Sequence, residues 1–228
     1  MSTTSLFEDN HSATFDVATS ISLPRDHGHF SLTGMGRRWR RERRRRAVAR
    51  AYDMALEISR FIPRGSEVLD VGCGNGYIAH HLSALMSKTV MGVDVTDNIR
   101  AQIAYQTFDG VTIPARDQSF DAVLFCYVLH HAQDLDGLLL EMRRVLRRGG
   151  IAIIYEDNPA SAFDRTVCWS HDLQWRSRTG PCKFRKPAAW RTTLESFGFK
   201  VELQRELSRW RNLAHPVRRV MFVVKRDY

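Results

Sequence analysis

VLDVGCGNGYIAHHL, residues 68–82, sets what kind of sheet this chain builds. Its first four residues are mostly of the aliphatic type that favours strands. They run into Gly72, Gly74 and Gly76 before helix-forming residues resume at Tyr77. A strand that passes through bare backbone into a helix opens a doubly wound sheet, and ligands of such sheets bind beyond the carboxyl ends of the strands. Two ligand classes fit poorly. A phosphate-binding P-loop ends in Gly-Lys-Ser/Thr, and no such ending follows Gly76. A dinucleotide loop reads G-x-G-x-x-G, whereas these glycines alternate as G-x-G-x-G and Tyr77 takes the next place.

On either side, strand and helix patterns alternate. Strands are expected at 67–72, 89–95, 120–126 and 150–156, with helices at 77–86 and near 97–104. A further helix follows in DLDGLLLEMRRVLRR, where Leu135, Leu138, Leu139, Met142, Val145 and Leu146 share one stripe and Gly149-Gly150 stop it. The strands within SFDAVLFCYVL and GIAIIYED are apolar almost throughout, as a sheet covered on both faces requires. PAAWRTTLESFG then reads as a helix, and FKVELQRE and RRVMFVVKRD as strands. Repeated β-α-β units imply an α/β fold with a parallel sheet between two helical layers.

Residues 1–36 show no sustained period and are expected to form a mobile arm. Residues 37–228 are expected to form one domain, beginning with a basic helix over 37–61 and carrying a lid-like insertion at 158–187. With 228 residues and 43% apolar composition the chain can bury one sizeable core. No apolar run reaches the length of a membrane span, so a cytoplasmic protein without a transmembrane segment is expected. Cys73, Cys126, Cys168 and Cys182 follow no paired spacing, which favours reduced thiols. Cys168 and His171 sit three apart, but two ligands without a second pair make no metal site, and none is expected. RRWRRERRRR, residues 37–46, holds eight arginines against one glutamate, so most of the formal net charge of +9 lies there. Such a block either clamps phosphates or is the solvated face of a helix.

With Asp70 two residues before Gly72, the loop resembles the first motif of class I S-adenosylmethionine-dependent methyltransferases. The likeness continues through Asp94 in GVDV, through FDGVTIPARDQSFDAVLFCYVLHH (108–131) and into RRVLRRGGIAIIYED, covering roughly residues 66–156. It is nearest to the type 11 subgroup, which includes ubiquinone- and menaquinone-biosynthesis enzymes. The resemblance implies a Rossmann-like, seven-stranded, mostly parallel sheet with helices on both faces and an antiparallel final strand. It implies S-adenosyl-L-methionine as cofactor, with Gly72, Cys73 and Gly74 against the methionine part and Asp70 balancing its ammonium. Asp94 would accept from the ribose hydroxyls and Asp109 from the adenine amine, while Val95, Gly110 and Cys126 complete the pocket. Alone, Asp70 or Asp94 would as readily cap a helix or end a strand. Asp121, at the entrance of a strand, reads as a structural turn residue. Only fourteen residues separate Asp94 from Asp109, which shortens the sheet edge expected there.

Methyl transfer from a sulfonium gains rate from alignment and desolvation. A base is needed only for some acceptors, and Tyr127, His130 and His131, just past the fourth strand, are the catalytic candidates. The alternative is that the histidines pack on the cofactor loop or cap the next helix. The expected acceptor is a small organic molecule, methylated at O, N or C. An RNA acceptor rests mainly on the arginine block, because CYVLHH replaces the Asn/Asp-Pro-Pro-aromatic motif of amino-methylating relatives. A cofactor-binding module without turnover stays open, as does the oligomeric state. Within the insertion, Trp169, His171, Trp175 and Phe184 suggest an aromatic lid with Arg176 or Arg178 on an anionic group, or else a surface flap.

Overall fold

The structure, a computed structural model, describes residues 32–227. The expected arm at 1–36 therefore lies largely outside the described residues. The chain divides into two compact units, residues 1–42 and 43–228. Of the first, the described part is the start of helix α1 (Leu32–Ile58), where Arg37, Arg38 and Arg40 are exposed.

The second unit is a seven-stranded sheet. Its strands are β1 (Val68–Val71), β2 (Met91–Asp94), β3 (Ala104–Thr107), β4 (Phe120–Cys126), β5 (Leu146–Asn158), β6 (Phe199–Leu207) and β7 (Arg218–Arg226), in the spatial order β3-β2-β1-β4-β5-β7-β6. The first five are mutually parallel, and β7 runs antiparallel to both neighbours, as the resemblance implied. The order reverses between β1 and β4, which places the glycine loop and the end of β4 at the switch point where doubly wound sheets bind ligands.

Alternation along the strands builds two cores. On β4, Val123 and Phe125 face one layer and Ala122 and Leu124 the other; on β7, Val220, Phe222 and Val224 oppose Met221 and Val223. The first layer packs on helices α3 (Leu135–Val145) and α5 (Pro187–Ser196) through Leu138, Leu139, Met142, Trp190 and Leu194. The second packs on the C-terminal half of α1 and on α2 (Tyr77–Met86) through Ala55, Ile58, Ala79, Leu82 and Met86. Both faces of the central strands are thus dry, which explains their apolar runs.

Two expectations fail, and a third gains its form. No helix forms near 97–104: the carbonyl of Asn75 in the glycine loop accepts from the amides of Arg100 and Ala101 at 3.2 and 3.1 Å, drawing that segment across the loop and into β3. Helix α3 ends at Val145 rather than running on through the arginines, because Leu146 already pairs with Phe120 in the sheet. The insertion is mainly a single helix, α4 (Ala162–Thr179), begun by a capping box: Ser161 Oγ accepts from Asp164 N–H and Asp164 Oδ2 accepts from Ser161 N–H, each at 3.1 Å.

Candidate active site

The glycine loop turns where side chains are excluded. Gly72 has φ 69°, and a Cβ there would lie 2.4 Å from Val128 Cγ2, so only glycine fits between β1 and the end of β4. Gly74, at φ 56°, has no atom within 4 Å of where a Cβ would sit, so its backbone faces open space. The loop is fixed from beneath: the carbonyl of Val93 accepts from the amides of Gly72 and Cys73 at 2.7 and 3.1 Å.

Two carboxylates flank this loop. Asp70, on the α2 side of β1, is 1% exposed and neither oxygen has a partner at hydrogen-bond distance, the Ala79 amide of α2 offering its charged form only a minor counterweight to burial. Burial, and secondarily the charge of Asp94, raise its carboxyl to about 7. A buried carboxylate without a partner is costly, and a cationic ligand above the loop would relieve that cost. Asp94 ends β2. Its Oδ2 accepts from Gly74 N–H at 2.8 Å, and its Oδ1 accepts from the amide and hydroxyl of Thr96, both at 2.9 Å. A carboxylate offers about four lone-pair sites. A diol therefore meets one free site, and a second that opens when the Thr96 hydroxyl swings away.

The remaining expected cofactor residues divide. Val95, 49% exposed, and Gly110 come together: a Cβ on Gly110 would lie 3.2 Å from Val95 Cγ1. Asp109 is exposed, and its Oδ1 accepts from the amides of Val111 and Thr112 at 2.8 and 2.6 Å, which holds its carboxyl below the usual range. That oxygen caps its own turn. Cys73 lies under the loop beside Gly92, and burial pushes its thiol up. Cys126 closes β4, where burial followed by Asp70 and Glu156 pushes its thiol well up. Both thiols thus stay protonated. Asp121 is structural, as expected: its Oδ2 accepts from Glu67 N–H at 2.8 Å and its Oδ1 pairs with Arg147 at 2.6 Å.

Beyond β4 the chain makes a tight corner. Tyr127 sits at φ 65°, a strained conformation for a residue with a side chain, and its amide donates to the Tyr155 carbonyl at 2.8 Å. The Arg219 guanidinium stands 5.4 Å from the ring centroid, and burial keeps the phenol protonated. Next comes the 3-10 turn Leu129–His131, held by Glu156 of β5. Glu156 Oε1 accepts from the amides of Val128 and Leu129 at 3.2 and 2.8 Å, and its Oε2 lies 2.6 Å from His130 Nδ1. His130 has no exposed surface, and although burial opposes its charge, Glu156 raises its pKa on balance.

His131 is a different group. Burial and its neighbours His130 and His171 lower its pKa to about 3. Its Nδ1 lies 3.0 Å from Thr179 Oγ1 and 3.3 Å from Cys182 Sγ. The alternative role for the pair, capping the next helix, falls instead to Asp134, whose Oδ1 accepts from Gly137 N–H at 2.9 Å.

Helix α4 and the segment after it bring part of the expected aromatic lid onto this turn. His171 reaches both histidines of the turn, with Nε2 3.4 Å from His130 Nε2 and 3.1 Å from His131 Nε2. Phe184 stacks on His130 with centroids 4.6 Å apart, and Trp175 on His171 at 6.0 Å. Trp169, in contrast, is 61% exposed and takes no part. Arg176 pairs with Asp172, whereas Arg178 lies over the Trp175 ring, 5.6 Å from its centroid. Cys168 does not join His171 in any ligand group among the described residues; the titratable cluster is His130, His131 and His171. Glu156 was within reach of sequence reasoning as the acid ending an apolar strand, and His171 was read as part of an aromatic lid, but its meeting with His130 and His131 carried no local signal.

Comparison with known proteins agrees with this geometry. Residues 69–154 match a family model described as a methyltransferase domain. Sterol 24-C-methyltransferase of Yarrowia lipolytica is 28% identical over 196 residues, covering 79% of this chain and 50% of that protein. A tRNA (carboxymethyluridine(34)-5-O)-methyltransferase of Xenopus tropicalis is 35% identical over 102 residues, 41% of this chain and 16% of that protein. The chain thus spans half or less of these curated relatives. Among solved structures, a Bacillus halodurans C-125 protein described as a methyltransferase superposes with TM-score 0.58 at 18% identity, covering 78% of this chain and 99% of that one. The [4+2]-cyclase SpnF superposes with TM-score 0.61 at 17% identity, covering 77% and 79%. At such identities the likeness is one of fold.

Proposed function

We propose that the chain, whose residues 69–154 match a methyltransferase-domain family model, is a class I methyltransferase of the type 11 kind that transfers a methyl group from S-adenosyl-L-methionine to a small organic acceptor. The observation that carries the proposal is Asp70, a buried carboxylate with no partner at hydrogen-bond distance, beneath a loop of bare backbone. The cofactor's ammonium is the counter-charge this position lacks. Gly72, Cys73 and Gly74 hold the methionine part, Asp94 the ribose, and Val95 with Gly110 the adenosine. Asp109 contributes through its turn and its free oxygen to the far end of that slot.

When bound, the cofactor supplies a methyl already activated by positive sulfur. The residues past β4 have the other tasks. Tyr127 keeps its proton, so it can donate a hydrogen bond but is no base. His131 is neutral and its two ring nitrogens meet Thr179 and His171, so it shapes the wall of the acceptor side rather than acting as a base. His130, fixed by Glu156, holds the turn in place. Trp175 and Phe184, packed on the histidine rings, would form the apolar wall of the acceptor side. The named substrate of the Yarrowia relative, a sterol, is of the small apolar kind that such a wall suits. The four free cysteines suit a reducing, cytoplasmic setting.

A second reading, methylation of RNA, is favoured by the arginines at 37–46 and by the tRNA methyltransferase relative. The test is to incubate the protein with S-adenosylmethionine and separate pools of apolar alcohols, phenols, sterols and tRNA, and to search for a gain of one methyl by mass spectrometry. A product only in a small-molecule pool supports the proposal; a product only on tRNA transfers it to the second reading; none in any pool contradicts both.

A further inference from the structure

His130, His131 and His171 bring three ring nitrogens to one point, each within 4.8 Å of the others. His171 Nε2 stands 3.4 Å from His130 Nε2 and 3.1 Å from His131 Nε2. A neutral ring nitrogen has a single in-plane site, either a lone pair or a proton. His171 Nε2 therefore cannot make two good hydrogen bonds at once, and a network of imidazoles alone leaves one contact poorly satisfied. One cation at the centre satisfies all three. Nitrogens bound to a tetrahedral zinc at 2.0–2.1 Å are separated by about 3.3 Å, which is the spacing His171 already has to its two neighbours.

The surroundings have the form that metal sites use to aim their ligands. The far nitrogen of His130 faces a carboxylate, Glu156 Oε2, at 2.6 Å, and that carboxylate is itself fixed by the amides of Val128 and Leu129. The far nitrogen of His131 meets Thr179 Oγ1 at 3.0 Å. Such partners set the tautomer and point the other nitrogen inward. Phe184 and Trp175 stack on two of the rings and restrict their rotation. Cys182 Sγ lies on the Nδ1 side of His131, away from the convergence point, and His215 is engaged by Asp157 Oδ2 at 2.7 Å. The fourth position is thus left to water or to an oxygen of a bound molecule.

We propose that His130, His131 and His171 form a three-histidine site for one divalent transition-metal ion, zinc by preference, at the mouth beyond β4. Three imidazoles without a carboxylate ligand suit zinc, nickel or copper and are a poor match to magnesium or calcium, which take oxygen ligands. The site joins a turn and a helix that are distant in sequence, so metal binding ties α4 to the end of β4. It does not depend on methyl transfer.

The test uses the full chain, stripped with a chelator and dialysed. Zn²⁺ is titrated by calorimetry, and Co²⁺ is added separately to read coordination from its visible absorption. We expect one Zn²⁺ per chain and the intense visible bands of four-coordinate Co²⁺. His171→Gln, on a partly exposed helix face, should weaken Zn²⁺ at least about 100-fold while circular dichroism shows an unchanged fold. Glu156→Gln should weaken it about 10- to 100-fold, the usual effect of losing such an orienting partner. Cys168→Ser should leave it unchanged. Absence of Zn²⁺ binding, weak six-coordinate Co²⁺ bands, or full affinity in a folded His171→Gln protein overturns the proposal. S-adenosylhomocysteine titrated into the same samples separates the two claims, since cofactor binding without metal, or metal without cofactor, defeats only one of them.

Discussion

Asp70 concentrates the logic of the site, because a carboxyl raised to about 7 has a sign that can be checked. Its native pKa lies above its unfolded value, so between about pH 4 and 7 the native state binds more protons and stability falls as pH rises. Asp70→Asn should therefore raise the melting temperature of the cofactor-free protein at pH 8 and leave it nearly unchanged at pH 4, while weakening S-adenosylmethionine. A loss of stability at pH 8 instead would mean that the ionised carboxylate is already compensated. The same linkage makes wild-type affinity for the sulfonium cofactor fall below pH 7, by up to about tenfold per pH unit, as the carboxyl must give up its proton to meet the ammonium. Gly72→Ala should abolish binding and destabilise the fold, since its Cβ would enter Val128 and φ 69° is strained for alanine. Asp70 and Gly72 were legible in the sequence because a loop between strand and helix fixes their spacing locally, and Asp94, a helix and a strand further on, was named through the resemblance. The meeting of Glu156 and His171 with His130 was not legible, because it depends on strand order and on where α4 docks.

Helix α4 was read as a lid-like insertion, and the reason is physical. Its buried positions are Asp164, Cys168 and Asp172, a stripe at helical spacing that is mostly polar, while Phe163, Trp169 and Leu173 are exposed. An apolar stripe signals the inward face of an ordinary helix, and here that signal is inverted. The acids face in because they have work to do: Asp164 closes the capping box and pairs with Arg209 at 3.2 Å, and Asp172 accepts from the Cys182 amide at 2.7 Å. The Ser161 and Asp164 pair was the available clue. Ser161→Ala should cost about 1 kcal/mol and lower the melting temperature by roughly 2–4 °C for a chain of this size, as differential scanning calorimetry would record, with S-adenosylhomocysteine affinity unchanged. β3 was foreshadowed differently. The short interval between Asp94 and Asp109 left little room, and the edge strand is four residues long with mostly exposed positions.

For the molecule as a whole, topology was the easiest thing to read, since apolar strands alternating with amphipathic helices admit few arrangements. Its net charge was harder to interpret, because composition does not say whether a basic segment is a clamp or a solvated face. Replacing Arg37, Arg38, Arg40 and Arg45 with alanine should leave S-adenosylmethionine affinity unchanged. If the protein acts on tRNA, the same variant should bind tRNA more weakly and with a shallower salt dependence in filter-binding assays; an unchanged salt slope would remove the arginines from any RNA contact. What joins loop, carboxylates and histidine turn into one device is the switch point between β1 and β4, and its ligand is the matter to settle first. Isothermal titration of S-adenosylhomocysteine into wild type and Asp94→Ala does so. We expect one site per chain in the wild type and affinity lower by about 10- to 100-fold in a folded Asp94→Ala protein, the loss of charge-assisted hydrogen bonds to a diol. No heat with the wild type, or equal affinity in the two proteins, would contradict the assignment.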